Sequence, residues 1–498
     1  MKVKSLLNRL GTNSKGTIIV FSGKIFNALF MYTTLAIIAR VLPVSLFGTF
    51  TFFTSLVAFS IIVAKFGIET VTLASIPKIK DKVKYQNTIS KLFLLLLITS
   101  SIVVTVLLIS RSYIDKILNI PMYKEVLLIV VWTIPLIAFI TFFRSWNQSL
   151  LKFGNAIIPE NFIRPFAFFI FAVFIYLAGL DSIYYVIIAY VISYFIAFFI
   201  AFCVRRELMS IIRSNKLKLT VSDFNNSLQF TLVQLLNQSV KFSPVLVLGF
   251  YLTATEVGIF RISQQTTILA AFLLTSINMV FAPTISLLYN EDRIQEFSDF
   301  YIITTKWTLI IGSYISMIIL LNSDFLMGVF GKNFQEWGVL LQILAIAQFI
   351  NASTGSSGHI LLMTGRQKLM IKLSLLQALL TVIASIILVQ IYGLIGAIIA
   401  VASGVILLNC LQILFVWRIF SFHPYNNYYF RVLISAFVVY IIGFSVKEVI
   451  NISFLPYFVF SVVLITILYS VIMPLIALNG DEKHFLKKVF GMKEPSKN

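Results

Sequence analysis

The chain has 498 residues, of which 59% are hydrophobic and 12% are charged, whereas a soluble protein has about 25% charged residues. This composition excludes an ordinary water-soluble core and predicts an all-α integral membrane protein. The net charge of +20 lies in short alternate loops and forms no single patch, so it indicates orientation in a membrane and not nucleic-acid binding.

About fourteen apolar runs, each near the roughly 20 residues that cross a bilayer as a helix, follow one another along the chain. We predict membrane-spanning helices at 17–38, 46–65, 91–109, 126–143, 163–178, 184–203, 226–251, 258–287, 302–321, 338–350, 373–391, 394–415, 432–446 and 454–478.

Lysine and arginine accumulate in every second connection between these runs. If the N-terminus is cytoplasmic, the inner connections include those that carry Lys82, Arg144, Arg164 and Arg205. This asymmetry follows the positive-inside rule, so we predict that both termini are cytoplasmic. Four further cations fall within the apolar runs, namely Lys24, Lys241, Arg261 and Lys306.

The two halves of the chain repeat. Residues 42–50 (LPVSLFGTF) align with residues 252–260 (LTATEVGIF), and Gly154 aligns with Gly365 at nearly the same offset. Because the offset covers an even number of predicted spans, the halves are parallel repeats that enclose a central cavity. We therefore predict an N-terminal six-helix lobe at 1–210, a C-terminal six-helix lobe at 211–420, two additional helices, 13 and 14, at 421–480, and a basic cytoplasmic tail at 481–498.

Polar side chains form a stripe along the seventh predicted span. Ser227, Thr231, Gln234, Gln238 and Lys241 recur at helical spacing, so they share one face. A polar face of this length cannot point to lipid. Hydrogen bonding between helices accounts for the serine and the threonine but not for the lysine. We interpret the stripe as the lining of a wet cavity.

Two other cations lie beside amide side chains. Lys24 and Asn27 share a face of the first predicted span, and Arg261 precedes Gln264 and Gln265 in the eighth. Each cation either extends to the lipid headgroups or faces the cavity. We favour the cavity for both.

The charge inside the predicted spans is positive. Glu69, Glu160 and Glu256 fall near span ends, whereas a carrier of cationic drugs is expected to place a carboxylate in its cavity. Lys65 and Lys306 lie nearer to the cytoplasmic ends, and we interpret them as a second tier that extends to the headgroups. Lysine and arginine suit phosphate, so the sequence predicts an anionic cargo.

Two segments resemble those of a known family. Residues 39–42 (ARVL) followed by 47–50 (FGTF) resemble the A-R-x-L…F-G-x-F opening of prokaryotic polysaccharide flippases. Residues 249–252 (GFYL) with 256–261 (EVGIFR) resemble the seventh-to-eighth-span segment of that family. These Wzx-type proteins belong to the multidrug/oligosaccharidyl-lipid/polysaccharide exporter superfamily, and the resemblance covers about residues 5–480.

The resemblance implies a flippase for undecaprenyl-diphosphate-linked oligosaccharide repeat units that works by alternating access. Such a protein feeds O-antigen, capsule or exopolysaccharide assembly in the cytoplasmic (inner) membrane of a bacterium or archaeon. Related lipid II flippases use cations in the first, second and eighth spans, which Lys24, Lys65 and Arg261 match by span and type, the second loosely. Lys241 has no such counterpart.

We therefore assign two groups of candidate binding residues. For the diphosphate they are Lys24, Lys241 and Arg261. For the sugars they are Asn27, Thr231, Gln234, Asn237, Gln238, Gln264 and Gln265, because amides both donate and accept hydrogen bonds. The sequence has no CxxC, HExxH or GxxxxGK[ST] motif, so we assign no catalytic residue, metal ligand or cofactor.

Other functions are open at this stage. A multidrug or cation antiporter of the same fold would need a mid-span acid, and a lipid II flippase is a variant of the favoured function. A membrane enzyme such as a polysaccharide polymerase would need a large outer loop with acid and base residues. We predict no enzyme. The expected partners are an anionic lipid-linked oligosaccharide and membrane lipids, with the polymerase and chain-length machinery as further candidates. Coupling to a proton or sodium gradient is left without a site.

Overall fold

The computed structural model describes residues 14–79, 81–214, 231, 235, 242–449 and 454–477. Within these ranges the chain forms α-helices, with short 3-10 and π-helical segments and no β-strand. Among the described residues 10 helices are long and apolar enough to cross a bilayer, or up to 11 if one bent pair forms a single span. The predicted all-α membrane class is confirmed.

The described helices divide into two compact units. The first comprises Met1–Arg261 with Val382–Ala397. Its helices begin with α1 Ser14–Val41, α2 Val44–Lys65, α3 Ile68–Ser75, α4 Lys82–Ile114, α5 Tyr123–Val130, α6 Thr133–Ser149, α7 Phe153–Ile157, α8 Arg164–Leu177, α9 Ile183–Val204, α10 Glu207–Ser214 and α11 Phe242–Tyr251.

The second unit comprises Ile262–Thr381 with Ile398–Asn498. The helices continue as α12 Ala254–Asn290, α13 Ile294–Leu321, α14 Ser323–Gly328, α15 Lys332–Gln335, α16 Gly338–Ser353, α17 Ser357–Met363, α18 Gln367–Phe420, α19 Asn427–Val449 and α20 Phe454–Ile476. Helices α12 and α18 contribute residues to both units. In the second unit, α13 packs on α19 and α20 around an apolar core that includes Leu309, Val432 and Ile465.

Where the structure describes them, the predicted spans lie within helical segments, apart from single residues at their ends and a turn at 131–132 in the fourth span. The eleventh and twelfth spans correspond to two helices within the segment α18, which is kinked at Gly393, where the backbone is not helical (φ 58°, ψ −134°). This is where the sequence separates the two spans, and a positive φ favours glycine. The count of fourteen and the lobe boundaries stay predictions. Most of the seventh span and the whole basic tail lie outside the described residues.

The fifth span begins earlier than the sequence predicts. Helix α7, the π-helix Ile158–Ile163 and α8 form one membrane-spanning segment, Phe153–Leu177, whereas the apolar pattern alone starts at residue 163. Pro159 has no N–H group and cannot make the usual helical hydrogen bond. The backbone widens there, and the N–H of Arg164 donates to the carbonyl oxygen of Pro159, five residues back. Arg164, counted with a cytoplasmic connection because it stands at the very start of the predicted span, therefore lies near the middle of the span.

Helix α1 packs along this fifth span. The ring of Phe26 lies 4.9 Å from that of Phe162, and a Cβ on Gly23 would lie 2.7 Å from Cγ2 of Ile157. Glycine at position 23 thus lets the helices approach closely. Asn27 and Met31 follow Gly23 at steps of one turn, so they lie on the same face of α1, the face that meets the fifth span.

Helices α2 and α12 meet at two glycines of the first unit. A Cβ on Gly48 would overlap the backbone carbonyl oxygen of Ala254, and one on Gly258 would lie 3.1 Å from Cα of Gly48. Gly48 and Gly258 are the positions that the sequence repeat aligns. Equivalent positions of the two repeats are thus in direct contact.

Candidate functional site

Arg164 places a buried guanidinium inside the fifth span. It lies near the middle of Phe153–Leu177, and its exposed fraction is 8%. A charge at this depth is costly in hydrocarbon, so it faces protein or water. Sequence reasoning missed this residue because Pro159 and Glu160 interrupt the apolar run. Continuing the helix through the proline would have found it.

Aromatic rings from α8 and α9 surround this guanidinium. Its Cζ lies 4.5 Å from the ring centroid of Tyr194, 5.5 Å from that of Tyr190 and 5.9 Å from that of Phe168. All three are cation–π distances. From α1, the sulfur of Met31 accepts a hydrogen bond from Nη1 at 2.9 Å. We call these four side chains the Arg164 cage.

The cage leaves part of the guanidinium unsatisfied. Its Nε–H is buried and has no hydrogen-bond partner in the described part of the chain, and a thioether is only a weak acceptor. Among the described residues no carboxylate pairs with Arg164. Leaving a buried donor unsatisfied costs about 1–3 kcal/mol, and more for a charged group.

The acid nearest in sequence, Glu160, belongs to a separate ion network. Arg144 of α6 donates from Nη1 to Glu160 at 2.7 Å and from Nη2 to Glu69 of α3, and Lys65 bonds Glu69 at 3.2 Å. Two bases and two acids balance one another. Glu160 thus lies within a membrane-spanning segment and not at its end, which corrects the sequence-based placement.

The network also sets the charge state of Glu69, which lies on the short helix between two spans. Burial acts to raise the pKa of this carboxyl. The positive charges of Arg144 and Lys65, with their hydrogen bonds, outweigh burial and hold the pKa of Glu69 below its usual value. Lys65, a second-tier candidate, is therefore neutralised by an acid.

Arg261 and Arg164 act on the same tyrosine. Arg261 is half-buried near the start of α12, and its charge acts on the hydroxyl of Tyr190. Arg164 interacts electrostatically with that hydroxyl too, and the ring centroids of Tyr190 and Tyr194 lie 5.0 Å apart. The cation predicted in the eighth span and the cation predicted in a loop thus both lie within electrostatic range of Tyr190 on α9.

Lys24 and Asn27 lie on α1, near one another as predicted. Lys24 is exposed, whereas Asn27 is half-buried. The Oδ1 of Asn27 is buried and has no hydrogen-bond partner within the described ranges. Asn27 is one turn from Met31, which bonds Arg164. A polar face of α1 thus leads from an exposed lysine toward the buried arginine.

The other predicted residues are placed less completely. Thr231 is buried, at 3% exposure. Gln264 and Gln265 are half-buried on α12, in the second unit. The remaining candidates lie outside the described residues, namely Gln234, Asn237, Gln238 and Lys241.

Lys306 is buried in α13 of the second unit and does not extend to the surface. Its exposed fraction is 5%, and its Nζ lies 4.8 Å from the ring centroid of Tyr428 at the start of α19. The sequence favoured a side chain that reaches the headgroups. The tyrosine on the neighbouring helix holds the ammonium group inside instead, by a cation–π contact.

The second unit also contains an apolar cavity of about 440 Å³ between α13, α16 and α19. Its lining includes Met317, Leu320, Phe349 and Leu433, and Ser316 adds a buried hydroxyl that bonds to no other described residue. A cavity of this composition suits a hydrocarbon chain.

A family model described as polysaccharide biosynthesis protein matches residues 14–288. It confirms the family that the sequence motifs indicate. A search of curated protein sequences finds no match to the chain.

Solved structures with the same fold are transporters and flippases. The lipid II flippase MurJ in an inward closed conformation matches with a TM-score of 0.75 at 14% identity, over 95% of this chain and 100% of that chain. An inward-facing multidrug resistance MATE transporter of the MOP superfamily matches with a TM-score of 0.66 at 15% identity, over 81% of this chain and 98% of the other. A MOP superfamily transporter from Pyrococcus furiosus, described as having a binding pocket of reverse polarity, matches at 0.54 and 16%, over 82% and 96%. At identities of 14% to 16%, these matches show the fold but do not identify the cargo.

Proposed function

We propose, from the premise that this chain belongs to the polysaccharide biosynthesis protein family, that it is the flippase of a lipid-linked oligosaccharide. The chain is a multi-pass membrane protein whose fold is that of membrane transporters and flippases. The proposed cargo is an undecaprenyl-diphosphate-linked repeat unit, moved across the cytoplasmic membrane by alternating access.

The observation that carries the proposal is the half-buried cation Arg261 on a helix of such a chain. A guanidinium inside the membrane is suited to phosphate, because its planar fork bonds two phosphate oxygens in bidentate geometry. Lys24, exposed on α1, and Lys241 complete the proposed diphosphate contacts. The apolar cavity between α13, α16 and α19 offers a place for part of a lipid tail.

The sugars would be read by neutral groups. Asn27 has a buried side-chain oxygen to which no described residue donates a hydrogen bond, and Gln264 and Gln265 are half-buried amides. Each neutral hydrogen bond contributes about 0.5–1.5 kcal/mol, so recognition through single amides is loose.

Transport in liposomes tests the proposal. A fluorescent polyprenyl-diphosphate oligosaccharide is placed in both leaflets, and attack on its sugar by an impermeant oxidant is followed after the outer pool is consumed. The parent protein should expose the inner pool, and Arg261→Gln should slow this about 10- to 100-fold, the equivalent of one charged hydrogen bond. Arg261→Lys should keep part of the rate, and Lys368→Gln, an exposed control on α18, all of it. If liposomes with the parent protein expose the inner pool no faster than empty liposomes, the proposed function is overturned.

A lipid II flippase is the second candidate, because the match to MurJ extends over nearly the whole chain. Lipid II in the same liposomes separates the two. A drug or cation antiporter has less support, since Glu160, an acid within a span, is already bonded by Arg144.

Orientation and partners complete the proposal. We place both termini in the cytoplasm and leave any coupling ion without a site. The polysaccharide polymerase and the chain-length machinery are the proposed downstream partners. Cysteines at positions 181 and 332, both exposed, should react with an impermeant reagent in intact cells, and one at the exposed position 82 should not. Labelling at position 82 would contradict the proposed orientation.

A further inference from the structure

We propose that Arg164 is a binding residue of the transport site and receives an oxyanion of the lipid-linked cargo inside the Arg164 cage. This inference rests on the proposed function and adds a binding residue on the fifth span, where the sequence predicts none. Three features of the described structure support it: an unsatisfied guanidinium, an acid kept away from it, and a cage that orients it.

The guanidinium has more donors than the protein satisfies. Arginine carries five N–H donors in a planar fork. One of them donates to the Met31 sulfur at 2.9 Å, and the buried Nε–H has no acceptor among the residues that the structure describes. Removing a charge from water without pairing it is strongly unfavourable. An oxyanion of the cargo would supply the charge and the acceptors that the described residues do not.

Glu160 precedes Arg164 by one helical turn in sequence but pairs with a different arginine. In a regular α-helix, residues at i and i+4 face each other, so Glu160 and Arg164 would form an ion pair. The π-helix Ile158–Ile163 lies between them and changes the register, as the hydrogen bond from the Arg164 N–H to Pro159 shows. Glu160 instead accepts from Arg144 at 2.7 Å. π-Helical turns often occur at functional sites, and here one keeps an arginine free of its natural partner.

The cage presents the fork in a fixed orientation. Tyr194 and Tyr190 lie one turn apart on α9, with their ring centroids 4.5 and 5.5 Å from the guanidinium carbon. Cation–π contacts stabilise the charge without consuming N–H donors. The donors stay available for an oxyanion, and a planar fork binds carboxylate or phosphate in a bidentate manner, which lysine cannot do.

Two parts of the cargo supply such an oxyanion. One is the diphosphate, common to all cargo of this class, and the other is the carboxylate of an acidic sugar. The shared chemistry is a paired-oxygen anion. Comparison of probes with and without an acidic sugar distinguishes the two sources.

Equilibrium binding to the full-length protein in lipid nanodiscs tests the inference. The probes are a short-chain polyprenyl diphosphate, the same diphosphate carrying a disaccharide with one uronic acid, and the uncharged polyprenol. Arg164→Gln should weaken binding of at least one anionic probe about 10- to 100-fold and leave the polyprenol unchanged. Arg164→Lys, which keeps the charge but loses the fork, should lie between Arg164→Gln and the parent. Lys368→Gln, the exposed control, should match the parent.

The melting temperature without ligand is the second readout. A structural arginine stabilises the protein, so its removal lowers the melting temperature. An unpaired buried arginine is destabilising, so Arg164→Gln should melt at or above the parent temperature.

The outcomes separate the inference from the function on which it rests. Weaker binding of the diphosphate alone assigns Arg164 to the diphosphate, and weaker binding only of the uronic acid probe assigns it to the sugar; both support the inference. Parent-like affinity of Arg164→Gln and Arg164→Lys for both anionic probes overturns the inference and leaves the flippase function standing. If the parent binds the anionic probes no better than the polyprenol, both are overturned.

Discussion

At the scale of single residues, two arginines in the spans of the first unit have opposite surroundings. Arg144 has two carboxylate partners on two other segments, whereas Arg164 has a sulfur and aromatic rings. The first arrangement stabilises the fold, because each charge has its counter-charge. The second leaves a buried positive charge without a carboxylate partner among the described residues, so a bound anion would neutralise it.

Arg144 should be a stability residue. Arg144→Gln leaves Glu69 and Glu160 without their main partner, and we expect a loss of roughly 1–3 kcal/mol in the free energy of unfolding. Thermal melting in detergent measures it. Glu160→Gln on top of Arg144→Gln should recover part of the loss, since the orphaned charge is removed. No recovery would mean that Glu160 does not depend on Arg144.

The network should also make stability depend on pH. The folded pKa of Glu69 lies below its usual value of 4.5 because Arg144 and Lys65 outweigh burial. A carboxyl with a depressed pKa contributes stability above its unfolded pKa, and this contribution is lost as the pH falls through the folded pKa. The melting temperature of the parent should therefore decline below about pH 4.5 more steeply than that of Glu69→Gln. Equal slopes would contradict the ionised state of Glu69.

At the scale of helices, sequence patterns located the spans because an apolar run of bilayer length admits few alternatives. The break at Gly393 in α18 could be predicted from the sequence for the same reason, because it separates two such runs. The start of the fifth span was not visible, because Pro159 and Glu160 read as a loop. Glu160 is accommodated inside the span because Arg144, 16 residues earlier, pairs with its carboxylate, and no local pattern encodes that contact.

Pro159 should maintain the wide turn that keeps Glu160 from Arg164. Pro159→Ala restores a backbone donor and permits a regular α-helix, in which residues 160 and 164 face each other. We expect weaker binding of the polyprenyl diphosphate probe by Pro159→Ala and recovery in Pro159→Ala/Glu160→Gln. The double variant is the matched control, because it carries the same proline change without the acid. Unchanged binding by Pro159→Ala would show that the π-helix does not depend on the proline.

At the scale of the whole molecule, the repeat is the feature that sequence and structure share most directly. The sequence alone aligns residues 42–50 with 252–260. In the first unit the aligned glycines, Gly48 and Gly258, meet backbone to backbone. The polar stripe of the seventh span, in contrast, stays a prediction, because its central residues lie outside the described part of the chain.

This glycine contact should tolerate no side chain. Gly48→Ala places a Cβ on the carbonyl oxygen of Ala254, which belongs to the backbone and cannot move aside cheaply. We expect Gly48→Ala to lower the melting temperature by several degrees or to abolish transport. Gly154→Ala is the matched control, since nothing lies within 4 Å of its Cβ. Parent-like behaviour of Gly48→Ala would mean that α2 and α12 do not approach this closely.

The central claim is that this membrane protein carries an anionic lipid-linked oligosaccharide. Native mass spectrometry of the protein purified from its own membranes tests it most directly, because bound lipids are weighed together with their carrier. We predict a bound species whose mass fits a polyprenyl diphosphate with attached sugars, depleted in Arg261→Gln and retained in Lys368→Gln. Bound species limited to ordinary phospholipids, equal in the parent and in Arg261→Gln, would contradict it.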